Sequence, residues 1–141
     1  MTRTLILGAA VSGRAAARLA GRLGHEVTVY DRSSDALDGL NDVATVDGEW
    51  DASVLTGHDL VVTSPGIPQA AAPIVDSLAS GIDFMSELEF AYRHLDSRCA
   101  AVTGTNGKTT TTTAAADMLA AGGIDAVAAG NIGLALSDVV D

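Results

Sequence analysis

The chain has 141 residues, 48% of them hydrophobic and 18% charged, and a formal net charge of −10. That balance belongs to a folded chain rather than a disordered one, and it excludes binding to long nucleic acids, which calls for a basic surface. No apolar run approaches the ~20 residues that span a bilayer, and Met1-Thr2-Arg3 leads straight into an apolar stretch without a cleavable signal pattern, so a cytoplasmic protein without membrane contact is expected.

Leu5-Ile6-Leu7 reads as a short buried strand ending at Gly8. The next segment is helical, with Ala16, Leu19, Ala20 and Leu23 on one face and Arg14, Arg18 and Arg22 forming an opposite, solvated stripe; Gly24 closes it. Val27 to Tyr30 is a second strand, which completes a βαβ unit and predicts a parallel sheet. Ser34 to Gly48 is mostly polar, with an edge strand expected over 43–46, and Leu60 to Thr63 is a buried strand. Ser64-Pro65-Gly66-Ile67-Pro68 breaks the chain. Ala71, Ile74, Val75 and Leu78 then outline a helix face closed by Gly81, and Ser86 with Glu89 forms a capping box before Leu88, Ala91, Tyr92 and Leu95. Glu87 fits the first turn of that helix, where a carboxylate meets the positive end of the dipole.

Asp96-Ser97-Arg98 reads as a boundary, dividing a unit over 1–96 from a second over 97–141. The second opens with a strand over 99–102, which places the single cysteine, Cys99, in buried packing, and continues into a loop, a helix from Thr109 to Ala121 and a strand over 124–128. Asn131-Ile132-Gly133 leads toward a further helix. Two parallel strands with a helix between them do not make an independent domain, so this second unit is expected to be truncated. The three histidines, His25, His58 and His94, lack metal-ligand spacing and read as surface or capping residues.

The loop of that second unit carries the most specific chemistry. Lys108 is the only lysine, and it sits in Thr103-Gly104-Thr105-Asn106-Gly107-Lys108-Thr109-Thr110-Thr111. Small residues let backbone N–H groups turn onto phosphate oxygens, a compact ammonium reaches the terminal phosphates, and a hydroxyl suits Mg2+; Gly104, Gly107, Lys108 and Thr109 supply these parts in order. The pattern is a variant of G-x-x-x-x-G-K-S/T, with Val102 at the place of the first glycine.

A second nucleotide-like turn, Gly8-Ala9-Ala10-Val11-Ser12-Gly13, lies between the first strand and helix, with Asp31 at the end of the second strand. Ala10 replaces the middle glycine of the dinucleotide fingerprint. The turn is therefore either an anion site at a helix terminus or a plain tight turn of a doubly wound sheet, and Asp31 either a ligand contact or a loop cap.

Taken in order, these motifs together with Ser64 to Pro68, Ser86 to Phe90 and Gly130-Asn131-Ile132-Gly133 resemble the Mur ligases along the whole chain. The resemblance implies an α/β fold in which a Rossmann-like parallel sheet domain is followed by a truncated P-loop α/β central domain. It implies that Val11, Ser12, Asp31, Arg32, Ser64, Gly66 and Asn131 contact a UDP-muramoyl substrate. It further implies that Gly104, Thr105, Asn106, Gly107, Lys108, Thr109, Thr110 and Thr111 bind ATP, with Lys108 on the transferring phosphate and Thr109 on Mg2+. The reaction implied is amide formation through an acyl phosphate, in peptidoglycan precursor synthesis. Within the family the match points to the branch that joins D-glutamate to UDP-N-acetylmuramoyl-L-alanine, as a monomer when full length. MurC-type members usually carry histidine where Asn106 stands, and MurE and MurF types begin with a different domain. The downstream metal ligands and the amino-acid-binding domain of the family are missing from these 141 residues, so the chain alone is expected to be inactive. A neighbouring member of the family, a nicotinamide-dependent oxidoreductase and a non-catalytic nucleotide-binding module are the competing readings.

Overall fold

A computed structural model describes residues 1–140, in which the first 95 residues build one parallel sheet flanked by helices. The strands are β1 (Arg3–Leu7), β2 (Glu26–Asp31), β3 (Ala44–Asp47), β4 (Leu60–Thr63) and β5 (Asp83–Ser86), in the spatial order β3-β2-β1-β4-β5. All four pairings are parallel, with Ile6 level with Val29 on one side and Val62 on the other. The helices are α1 (Val11–Arg22), α2 (Ala72–Ser80), α3 (Glu87–Tyr92) and α4 (Lys108–Ala121).

The side-chain alternation of β1 explains why its sequence reads as an unbroken apolar run. Ile6 points to the layer holding α1 and α3, whereas Leu5 and Leu7 point to the layer holding Tyr30, Leu55 and Ile74, and all three β1 residues are fully buried. The edge strand β5 escapes the sequence reading. It has only four residues, it pairs on one side only, and Phe84 and Met85 are half-buried, so neither alternation nor a long apolar run marks it.

Several expectations are corrected by packing. Arg14, Arg18 and Arg22 are not simply a solvated stripe: Arg14 donates to the carbonyls of Ala9, Ala36 and Asp38, while Arg18 and Arg22 hold the 137–140 segment. In α2 the sheet takes Ile74 and Ser77, because the helix is rotated so that Val75 and Leu78 remain 50% and 62% exposed. Tyr92 also faces outward, and the packed face of α3 is Glu87, Phe90 and Ala91. Ser86 caps α3 by accepting from Glu89 N–H at 3.2 Å, but the Glu89 carboxylate turns to Arg93 instead of closing the box.

The segments 99–102 and 124–128 form no strand, and Cys99 is exposed rather than packed. With no neighbouring strand to accept their backbone groups, short apolar runs stay irregular. The helix α4 does form, beginning at Lys108, and buries none of its residues. Beyond the Asn131 turn the chain makes a short 3-10 turn (Leu136–Asp138) packed on α1 and α3.

Candidate nucleotide site at the sheet switch point

The strand order reverses between β1 and β4, so the connections leaving their carboxyl ends diverge and open a crevice. Both turns singled out in the sequence, Gly8 to Gly13 and Ser64 to Pro68, sit there. The helix α1 starts as close to β1 as its backbone allows. A Cβ on Gly13 would stand 1.8 Å from the Gly8 carbonyl oxygen and 2.9 Å from Ser64 Oγ, so glycine at this position is a packing requirement. Gly8, with φ of +90°, and buried Ser64 lie against each other, Ser64 Oγ donating to Gly8 O at 3.5 Å.

Ala10 gives α1 no side-chain cap. The first-turn backbone N–H groups at Val11, which is exposed, and Ser12, which is half-buried, therefore keep their donor capacity for an anion at the positive end of the helix. Asp31 is committed to the scaffold: Oδ2 accepts from Ala9 N–H at 2.8 Å and Oδ1 from Ser33 N–H at 3.0 Å. It ties the end of β2 to the turn after β1, a loop-capping role that still leaves acceptor sites on the carboxylate.

Beside this turn is a cleft of about 400 Å³ whose walls include Gly8, Tyr30, Asp31, Arg32, Trp50 and Ile67. Arg32 reaches across its mouth to Glu49 at 2.6 Å, an exposed ion pair. The Trp50 indole meets the Tyr30 ring edge-on at 4.9 Å between centroids and is fixed by donating Nε1–H to Asp76 at 2.8 Å. Burial, with the Glu49 charge next, pushes the Tyr30 phenol above its usual value, so it stays a neutral donor to the Gly48 carbonyl. Glu49 and Trp50 escape the sequence reading, since no spacing marks them; the one signal is a lone tryptophan just after the Gly48 turn. A second hollow, of about 500 Å³ between Leu55 and α2, is wide open and holds none of the motif residues.

The phosphate-type loop stands apart. Gly104 and Gly107 adopt φ of +148° and +77°, and Lys108 Nζ turns back onto the Gly104 and Thr105 carbonyls. Thr105, Asn106, Thr109, Thr110 and Thr111 are all exposed around it. Gly107 caps α4 without a side-chain acceptor, so this helix also begins with open N–H groups. Asp31 and Arg32 line the cleft, Ser64 lies against Gly8 at its edge, Val11 and Ser12 open α1 directly after the Gly8 turn and Gly66 follows β4, whereas the 104–111 loop and the exposed Asn131 belong to other segments. No group of three or more metal-ligating side chains occurs among the described residues.

The fold and the crevice define a doubly wound α/β domain of Rossmann-like architecture. The Mur ligase MurD-like N-terminal domain family matches residues 2–86. The chain belongs to the Mur ligase family. It is 39% identical over 147 residues to the UDP-N-acetylmuramoylalanine–D-glutamate ligase of Desulfosudis oleivorans, covering 99% of this chain and 32% of the relative. It is 42% identical over 151 residues to the ligase of the same name from Salinibacter ruber, again covering 99% and 32%. A crystal structure of the murein peptide ligase from Psychrobacter arcticus superimposes with a TM-score of 0.58 at 33% identity, over 89% of this chain and 28% of that one. The chain therefore spans about a third of the length of the curated relatives it matches.

Proposed function

We propose that the switch-point crevice binds the UDP end of UDP-N-acetylmuramoyl-L-alanine, and that the chain belongs to an ATP-dependent ligase that joins D-glutamate to it in cytoplasmic peptidoglycan precursor synthesis. The observation that carries this reading is the crevice itself. Open N–H groups at the start of α1 offer donors that a diphosphate could accept from, and the adjacent aromatic cleft suits a flat nucleobase. Ala10 departs from the dinucleotide fingerprint at its middle glycine, and Asp31, with one backbone N–H on each carboxylate oxygen, keeps further acceptor sites for a ligand hydroxyl.

In this reading Val11, Ser12, Ser64 and Gly66 bind the diphosphate and sugar, Asp31 and Arg32 border the base, and Asn131 contacts the muramoyl group. The loop Gly104 to Thr111 fits ATP: two glycines with positive φ, an uncapped helix start, and an exposed ammonium with no carboxylate partner among the described residues. Lys108 would hold the transferring phosphate and Thr109 the Mg2+, which supplies charge neutralisation at the phosphoryl oxygens. The free carboxylate of the L-alanyl residue would attack the ATP γ-phosphate, releasing ADP and forming an acyl phosphate, and the D-glutamate amine would then displace phosphate to form the amide. The domain division at residue 96, with a P-loop unit over 97–141, is part of this proposal.

Because α4 and its loop are exposed, the 141-residue chain is expected to bind but not to turn over. Calorimetry against UDP-N-acetylmuramoyl-L-alanine, UDP and NAD tests the assignment. Binding of both uridine ligands and not of NAD is expected; binding of NAD alone would sink it. Phosphate release above a Lys108→Ala control, dependent on both substrates, would refute the inactivity of the chain.

A further inference from the structure

Glu87, a residue only 1% exposed, opens α3, and the hydrogen bond that reaches its carboxylate comes from far along the chain: Ser137 N–H donates to Oε1 at 2.8 Å. A buried carboxylate is costly unless its contacts are used. The same short segment is gripped from α1, where Arg18 donates to Asp138 Oδ1 at 2.7 Å and Arg22 to the Val140 carbonyl at 2.6 Å. Ala135 and Val140 are 1% and 4% exposed against the same layer.

The start of this segment also rests on α3. Gly130 N–H donates to the Leu134 carbonyl at 2.8 Å, closing the turn that carries Asn131, and a Cβ on Gly130 would lie 3.6 Å from Leu88 Cδ2. Leu88 therefore lies beside the start of the Asn131 turn, while its neighbour Glu87 holds Ser137, three residues beyond the turn's end at Leu134. Ser137 Oγ is buried without a partner, so the backbone is what ties this residue to the fold.

We propose that Glu87 is a positioning residue: its buried carboxylate anchors Ser137 to α3 and thereby sets where the Asn131 turn stands relative to the crevice. The inference rests on the substrate reading above, in which Asn131 contacts the muramoyl group. An apolar side chain of similar volume would fill the same space, but it would leave the Ser137 N–H unpaired and the turn free to drift.

The test uses the 141-residue chain with Glu87→Ala, Glu87→Gln, Asn131→Ala and the two double variants. Calorimetry gives the Kd for UDP-N-acetylmuramoyl-L-alanine, and hydrogen exchange gives protection at the Ser137 amide. Glu87→Ala is expected to speed Ser137 exchange at least tenfold and to weaken Kd roughly tenfold, the order carried by one charged hydrogen bond. Glu87→Gln keeps an acceptor oxygen and is expected to weaken Kd about threefold. Neither change should add to the loss in the Asn131→Ala background, because residues acting through one group are not additive. Additive losses, or an unchanged Kd with Ser137 exchange released, overturn the proposal. Where Glu87→Ala does not fold, the Glu87→Gln cycle decides on the same criterion. If the wild-type chain binds no uridine ligand, the substrate reading fails and takes the role of Asn131 with it, while unchanged Ser137 exchange in Glu87→Ala would separately refute the anchor.

Discussion

Replacing Gly13 by alanine puts the tight β1–α1 junction to a direct test. The new methyl would sit 1.8 Å from the Gly8 carbonyl oxygen, 2.8 Å from the Gly8 carbonyl carbon and 2.9 Å from Ser64 Oγ. Ser64 can rotate, but the Gly8 carbonyl belongs to the backbone just after the central strand and cannot. Restoring ordinary contact at ~3.4 Å requires α1 to move by about 1.5 Å, which disturbs the layer formed by Ala16, Leu19, Ala20 and Ile6. Overpacking of this kind costs about 3 kcal/mol, the upper end of the usual range, since no flexible side chain absorbs the clash. Gly21 in the same helix is the internal control. A Cβ there meets nothing within 4 Å, so Gly21→Ala gains only the helix propensity, about 0.5–1 kcal/mol. Both variants change glycine to alanine in one helix, and their difference of about 3–4 kcal/mol isolates the steric term. Urea unfolding followed by the fluorescence of Trp50, the single tryptophan, measures it. A Gly13→Ala variant within about 0.5 kcal/mol of the wild type would refute the reasoning.

Arg14→Met removes three donors from the Ala9, Ala36 and Asp38 carbonyls while keeping the aliphatic stem, and a loss of about 2 kcal/mol is expected in the same unfolding assay. Lys108→Ala should leave stability within about 0.5 kcal/mol, because its bonds run only to its own exposed loop, and on the proposed reading of that loop it should abolish ATP affinity measured by calorimetry. Burial, with His94 and the amino terminus adding to it, lowers the His25 pKa below 6.5. The unfolded chain then binds the proton more tightly, so stability is full above pH 6.5 and declines as the pH falls from there through the lower folded value. Unfolding curves between pH 7.5 and about 5 should show this slope flattened in His25→Gln; an identical slope in both chains would refute it. Trp50→Leu should weaken uridine-ligand binding measured by calorimetry roughly tenfold if the aromatic cleft holds the base, and leave it unchanged if the base lies elsewhere.

Local pattern determined much of this fold. The apolar run of Leu5 to Leu7, the helical periodicity after it, the second run at Val27 to Tyr30 and the glycines that punctuate them are short-range signals, each complete within one element, and they specify a parallel α/β sheet. The Gly8 turn and the Lys108 loop also stand out in the sequence, because glycine is what permits the positive φ that Gly8, Gly104 and Gly107 adopt. What only the tertiary structure decided depends on a partner distant in sequence. The strand β5 exists because β4 offers it an edge, and the segments 99–102 and 124–128 lack strand structure because no strand offers them one. Periodicity names the apolar stripe of a helix but not its rotation, which is why α2 buries Ser77 and leaves Val75 and Leu78 exposed. The same holds for charge: Glu87 looks like any first-turn acid, and Arg18 and Arg22 like any solvated stripe, until the 135–140 segment arrives to pair with all three. A side chain's chemistry is written in the sequence, but burial and pairing are properties of two surfaces in contact, and folding alone brings the second surface.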